Sequence, residues 1–212
     1  MVATCDRKRA LSREDVGFLT WDHPMVGGAM ELLLGSEKGN CAFGVLPTAD
    51  ERTLLLEMAF VVEAVAPAAL HVDRFLPATP IRVVMNHKPN DVSSEFPAKA
   101  LARLQKGSPY KLLDNPDIAR KLLPNMIQAG NEAASVRMAA TVEESLDSMG
   151  QLLDHEIHRL TTLKQVNDNV RQEEIDLATR QKAELTLAIR NARLRLDAVR
   201  LIWKGPPEVL GG

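Results

Sequence analysis

His155-Glu156-Ile157-His158 sets two imidazoles around a carboxylate in one helical stretch, so metal binding is the first chemistry to test. A zinc-binding helix spaces its histidines four apart, so that both face one ion. Here they are three apart with no cysteine near in sequence, and a solvated helix face is favoured. His23, His71 and His87 are scattered, and Cys5 and Cys41 form no Cys-x-x-Cys pair. A phosphate loop needs glycines that bring backbone N–H groups to phosphate, then a lysine and a hydroxyl. Gly35-Ser36-Glu37-Lys38-Gly39 has its lysine before the glycine and no hydroxyl after it, so it reads as a turn. No G-x-S-x-G elbow supports serine hydrolysis. The sequence therefore predicts no catalytic, cofactor-binding or metal-ligating residue.

Two features could instead meet a partner. Arg190, Arg193, Arg195, Arg200 and Lys204 make a basic end. It suits a helix C-terminus, which is the favoured reading, or it faces phosphate or an acidic partner. Trp21, Asp22, His23 and Met25 form a second cluster. Trp21 and Met25 would serve the core, which is favoured, or a docking patch. The candidate contact residues are thus Trp21, Asp22, His23, Met25, Arg190, Arg193 and Arg200.

These residues sit in a chain of 212 residues, 45% hydrophobic and 25% charged, with a net charge of -2. That is enough to bury a real core, and nothing in the overall charge advertises nucleic acid. Aromatics at 4% suit an aliphatic core and argue against a base-stacking platform. Two cysteines are not a disulfide framework, so a reducing cytosol is expected. No apolar run spans a bilayer, and the start lacks the apolar core of a signal peptide.

The elements that position the candidates follow from periodicity. Val142, Leu146, Met149, Leu153, Ile157, Leu160 and Leu163 step by three and four, the seam of a long helix. Ile175, Ala178, Leu185, Ile189, Ala192 and Leu196 repeat it, with Lys182 breaking the seam. Asn167-Asp168-Asn169 turns the chain between them, so the helices are antiparallel neighbours, with Asn169 and Gln172 as a capping box. Before the hairpin, Val2 to Asp6 reads as a short strand, and helices are expected at Arg13 to Thr20 and from Pro24 to Gly35. Strands follow at Asn40 to Leu46, Thr53 to Ala66, Leu70 to Phe75 and Ile81 to Asn86, as a meander. Leu54, Leu56, Met58, Phe60, Val62 and Ala64 share one face of the second. A short helix from Pro97 to Gly107 is expected, then a restart at Asn115-Pro116 and an interruption at Pro124. Leu196 to Trp203 alternates like a strand that returns to the sheet.

Several blocks resemble the C-terminal region of the RapA (HepA) family of bacterial RNA polymerase-associated, Snf-type ATPases. They include Phe18-Leu19-Thr20-Trp21-Asp22-His23-Pro24-Met25-Val26, Glu63-Ala64-Val65-Ala66-Pro67, Arg74-Phe75-Leu76-Pro77 and Arg195-Leu196-Asp197-Ala198. The resemblance runs from about Thr4 to Trp203. It implies a motor that recycles polymerase using ATP and Mg, with the ATP site and the nucleic-acid-translocating halves upstream of this region.

The expectation is an α+β fold: a mainly antiparallel sheet flanked by helices, with a long coiled-coil-like helical hairpin. It is expected as a single module, with helices and sheet over 1–87, connecting helices over 88–123, the hairpin over 124–196 and a returning strand over 196–204. The expected function is a non-catalytic accessory module of a RapA-like recycling ATPase in the bacterial cytoplasm. Its partners would be RNA polymerase and the upstream ATPase domains in cis, with nucleic acid met mainly by the motor and no membrane. A stand-alone coiled-coil adaptor is the alternative, and an enzyme assembled from distant residues a weaker third.

Overall fold

The computed structural model describes residues 2–4, 12–13, 16–18, 40–49, 51–167 and 169–207. The chain divides into two compact units, Met1–Cys41 and Ala42–Gly212. In the first, β1 (Val2–Thr4) pairs in parallel with β2 (Val16–Phe18). A strand therefore stands where a helix from Arg13 to Thr20 was expected. Val16 and Phe18 flank Gly17, and a β-branched, an aromatic and a glycine residue all lower helix propensity. The helix expected from Pro24 to Gly35 lies outside the described residues.

The second unit is built on β4 (Thr53–Glu63), whose alternation places Leu54, Leu56, Met58, Phe60 and Val62 in one continuous core. It pairs antiparallel with β5 (Thr79–Asn86) on one side and with β6 (Arg193–Lys204) on the other. β3 (Cys41–Leu46) lies beyond β6, giving the order β3-β6-β4-β5 in a mixed sheet. The expected meander is thus corrected: the last strand of the chain inserts between β3 and β4. A bulge at Ala59/Phe60 shifts the ladder from Ala59↔Ala198 to Phe60↔Leu196, leaving Asp197 without a partner residue.

The strand expected at Leu70 to Phe75 is instead a pair of 3-10 turns, Ala68–Leu70 and Val72–Arg74. His71 between them adopts φ 47°, ψ 47°, which breaks an extended run. Leu76, only 2% exposed, turns into the core instead of joining a ladder. The helix expected from Pro97 to Gly107 is a series of turns. Leu101 must fill a second cluster with Leu55, Val84, Val92 and Ile202 on the other sheet face, while Gln105 bridges Val45 on β3.

After α1 (Tyr110–Leu113), Asn115 Oδ1 accepts the Asp117 N–H at 3.0 Å and the helix restarts at Pro116, as its sequence requires. The interruption expected at Pro124 takes the form of a π turn, Ile118–Leu122, which absorbs the missing proline N–H. It leads without a break into α2 (Leu123–Lys164), 42 residues long. At roughly 1.5 Å per residue, α2 is about 63 Å long. α3 (Gln172–Arg190) folds back along it. Met126, Ala134 and Met149 of α2 and Leu185 and Ile189 of α3 complete the core over β4. At Gly130 the helix comes so close to the sheet that a Cβ would lie 2.0 Å from Met58 Cε.

Beyond Met149, and before Leu185 on the way back, no described residue of the hairpin is fully buried. The seam continues through half-buried Leu153, Ile157, Leu160 and Ile175. Lys182, the break in the seam, reaches across to Asp154 at 2.5 Å. The expected capping box is absent. Asn167 Oδ1 accepts the Asn169 N–H, α3 starts only at Gln172, and Gln172 donates to Asp176 instead. Glu173 and Glu174 do occupy the first turn, where the helix dipole favours them. Ala192 and Leu196 leave the helical seam, because α3 ends at Arg190 and the ladder with β4 begins at Arg193.

Candidate partner-contact surface

The expected contact residues Trp21, Asp22, His23 and Met25 lie outside the described residues. The three arginines are described, and the structure separates them. Arg190 closes α3 and Arg193 opens β6; both are exposed. Arg200 is seven residues further along the strand, about 23 Å at 3.3 Å per residue.

Arg200 is bound on the sheet face away from the hairpin. Its Nε donates to Glu57 Oε2 at 2.5 Å, while Arg82 Nε donates to Glu57 Oε1 at 2.6 Å. The Glu57 side chain is only 13% exposed, so one carboxylate is held between two guanidiniums in a poorly hydrated place. Arg82 also donates to Phe96 O at 2.7 Å, and Arg137 of α2 donates to Arg82 O and to Asp91 Oδ2. Burial raises the pKa of Asp91, but the Ser93 hydroxyl and N–H and the Arg137 guanidinium outweigh it, leaving the carboxyl below its ordinary value. Arg195 lies between Glu63 and Asp197, at 3.4 and 2.7 Å. The basic run of the sequence is thus largely neutralised along β6, except at its corner.

Arg190 and Arg193 make no ion pair or side-chain hydrogen bond among the described residues. An apolar cleft of about 390 Å³ opens between α3 and the chain leaving β4, with Asn191, next in sequence to Arg190, in its lining. Val65 and Leu187 line it and are 78% and 63% exposed. Sequence reasoning missed this cleft. The available signal was Leu187, which lies about 200° round the helix from the seam residue Leu185.

A second cleft of about 460 Å³ lies at the end of the sheet among Glu51, Arg52, Thr53, His87, Phe96 and Lys204. Part of its charge is spent internally, while the Arg52 and Glu95 side chains have no ion-pair partner among the described residues. Lys204 pairs with Glu51 and lies 5.2 Å from the centroid of the Phe96 ring, and Thr53 Oγ1 is 2.5 Å from His87 Nδ1. His155 and His158 are exposed on α2, and Glu156 between them is taken by Arg159 at 2.6 Å. Among the described residues no cluster of His, Cys, Asp and Glu could hold a metal ion, and no helix is long and apolar enough to cross a membrane.

A mixed sheet crossed on one face by a long helical hairpin, with its last strand at the centre, defines an α+β module. Residues 1–204 match the model of the RNA polymerase recycling family C-terminal, and the chain belongs to that family. It is 39% identical over 208 residues to the RNA polymerase-associated protein RapA of Vibrio cholerae serotype O1, covering 94% of this chain and 21% of that protein. RapA of Vibrio vulnificus is 38% identical over 208 residues and that of Proteus mirabilis 32% over 205, with the same coverage. The chain therefore spans about a fifth of the length of the curated relatives it matches.

Proposed function

We propose that this chain serves as the C-terminal accessory module of a RapA-like, ATP-dependent RNA polymerase recycling factor of the bacterial cytoplasm. In this reading it contacts polymerase or positions the motor, and is itself non-catalytic. ATP and Mg belong to the motor domains upstream in cis, which also meet nucleic acid in a helicase-like way. The observation that carries the reading is the family match over nearly the whole chain, together with relatives named as polymerase-associated. The geometry is in keeping with it. The described residues offer a long helical hairpin and a basic corner at Arg190 and Arg193. The test is capture of core RNA polymerase by the tagged 212-residue chain. Specific retention is expected; failure to retain it at micromolar concentrations leaves motor positioning as the role. Calorimetry with Mg-ATP is expected to give no binding heat, and micromolar binding would overturn the non-catalytic assignment.

A further inference from the structure

The cleft between α3 and the chain leaving β4 is walled by Val65, Pro67, Leu70 and Leu187. Leu185 and Ile189 of α3 are fully buried, whereas Leu187 between them stands open, as does Val65 across the cleft. Large aliphatic side chains left this exposed in one concavity are unusual on a surface with no partner. The charge in the lining has one sign. Glu184 is the single charged residue there, and it makes no ion pair or side-chain hydrogen bond among the described residues. At about 100° per residue, Leu187, Ala188 and Asn191 all lie within about 60° of Glu184 round α3, whereas Arg190 lies about 120° away. The lining also takes in the C-terminal end of α3, the negative pole of the helix dipole. Carboxylate and dipole thus give an aliphatic cleft a negative lining, with Arg190 turned aside from it.

We propose that this cleft docks a short segment of a protein partner that carries a lysine or arginine among aliphatic side chains. The aliphatic groups lie against Val65, Leu70 and Leu187, and the cation meets Glu184. An acidic segment or a phosphate backbone would meet Glu184 with like charge, and no aromatic ring lines the cleft for a base to stack on. The inference goes beyond the polymerase reading: it names a surface and a chemistry whichever protein supplies the segment.

Methyl-labelled full chain titrated with an acetylated, amidated hexapeptide of alternating leucine and lysine tests it. The expected result is a shift of the Val65 and Leu187 methyl signals. Affinity should fall about tenfold or more in Glu184→Lys, where like charges meet. A leucine–aspartate hexapeptide should leave both signals in place. The chain carries a net charge of -2, so diffuse attraction of a cationic peptide has its own control. Glu95→Lys, at an exposed acid in the other cleft, should leave the affinity within about twofold. Leu187→Ser, at an exposed position, should abolish the Val65 response without moving the melt. The proposal is overturned if the lysine peptide moves neither methyl at about 1 mM. It is equally overturned if Glu95→Lys weakens binding as much as Glu184→Lys, or if the aspartate peptide binds as tightly.

Discussion

Glu57 shows why charge counts along a strand mislead. An acid in the middle of an apolar strand must find cations, and it finds Arg82 and Arg200 from the two flanking strands. Glu57→Gln leaves two arginines facing each other across a weakened acceptor. A loss of about 1.5–3 kcal/mol is expected in urea denaturation, the range for hydrogen bonds to charged groups. Glu156→Gln removes an exposed helix pair and should leave the midpoint where it was. Asp91 links α2 to the loop after β5 through Arg137. Its folded pKa is depressed, so its contribution is present above the unfolded value of about 3.9 and is lost as pH falls through the folded one. The gap in melting temperature between wild type and Asp91→Asn should therefore be widest near neutrality and close on acidification. A gap that stays constant with pH contradicts the assignment.

At the scale of elements, the hairpin is a graded structure. Leu185 is fully buried among sheet residues, whereas Leu153 is only half-buried. Leu185→Ala is expected to cost about 2–5 kcal/mol, and Leu153→Ala clearly less. Equal losses would mean that the outer seam is as dry as the base. Amides near the turn should exchange first, since little burial protects them. The helix periods were legible because three-and-four spacing needs only the local sequence. The β4 face was legible for the same reason. What was not legible depended on distant residues. Leu70 to Phe75 looks like a strand until Leu76 is needed in the core, and Leu101 reads as helical until the sheet requires a plug. The outer edge of β5 was equally hidden. Pro80 offers no N–H there, Val84 N–H goes to Ser93 Oγ, and Asn86 N–H goes to Asn90 O. That edge is closed to an incoming strand.

At the scale of the whole molecule, the partner-contact candidates were only partly legible. The arginine run was visible, but its neutralisation along β6 depends on Glu57 and Glu63 of β4, Glu51 and Asp197, whose positions only the fold sets. The returning strand was legible as a strand, but its place at the centre of the sheet was not, because alternation says nothing of neighbours. That place carries the central claim. β6 pairs with β4 over eleven register positions and separates it from β3. Sheet and hairpin base in Ala42–Gly212 should therefore unfold as one cooperative unit. The most direct measurement is the thermal melt of a chain ending at Leu194. The account predicts loss of the cooperative transition, because β3 and β4 lose the strand between them. A truncated chain that keeps a folded sheet and an unchanged melting temperature would contradict it and make sheet and hairpin independent domains.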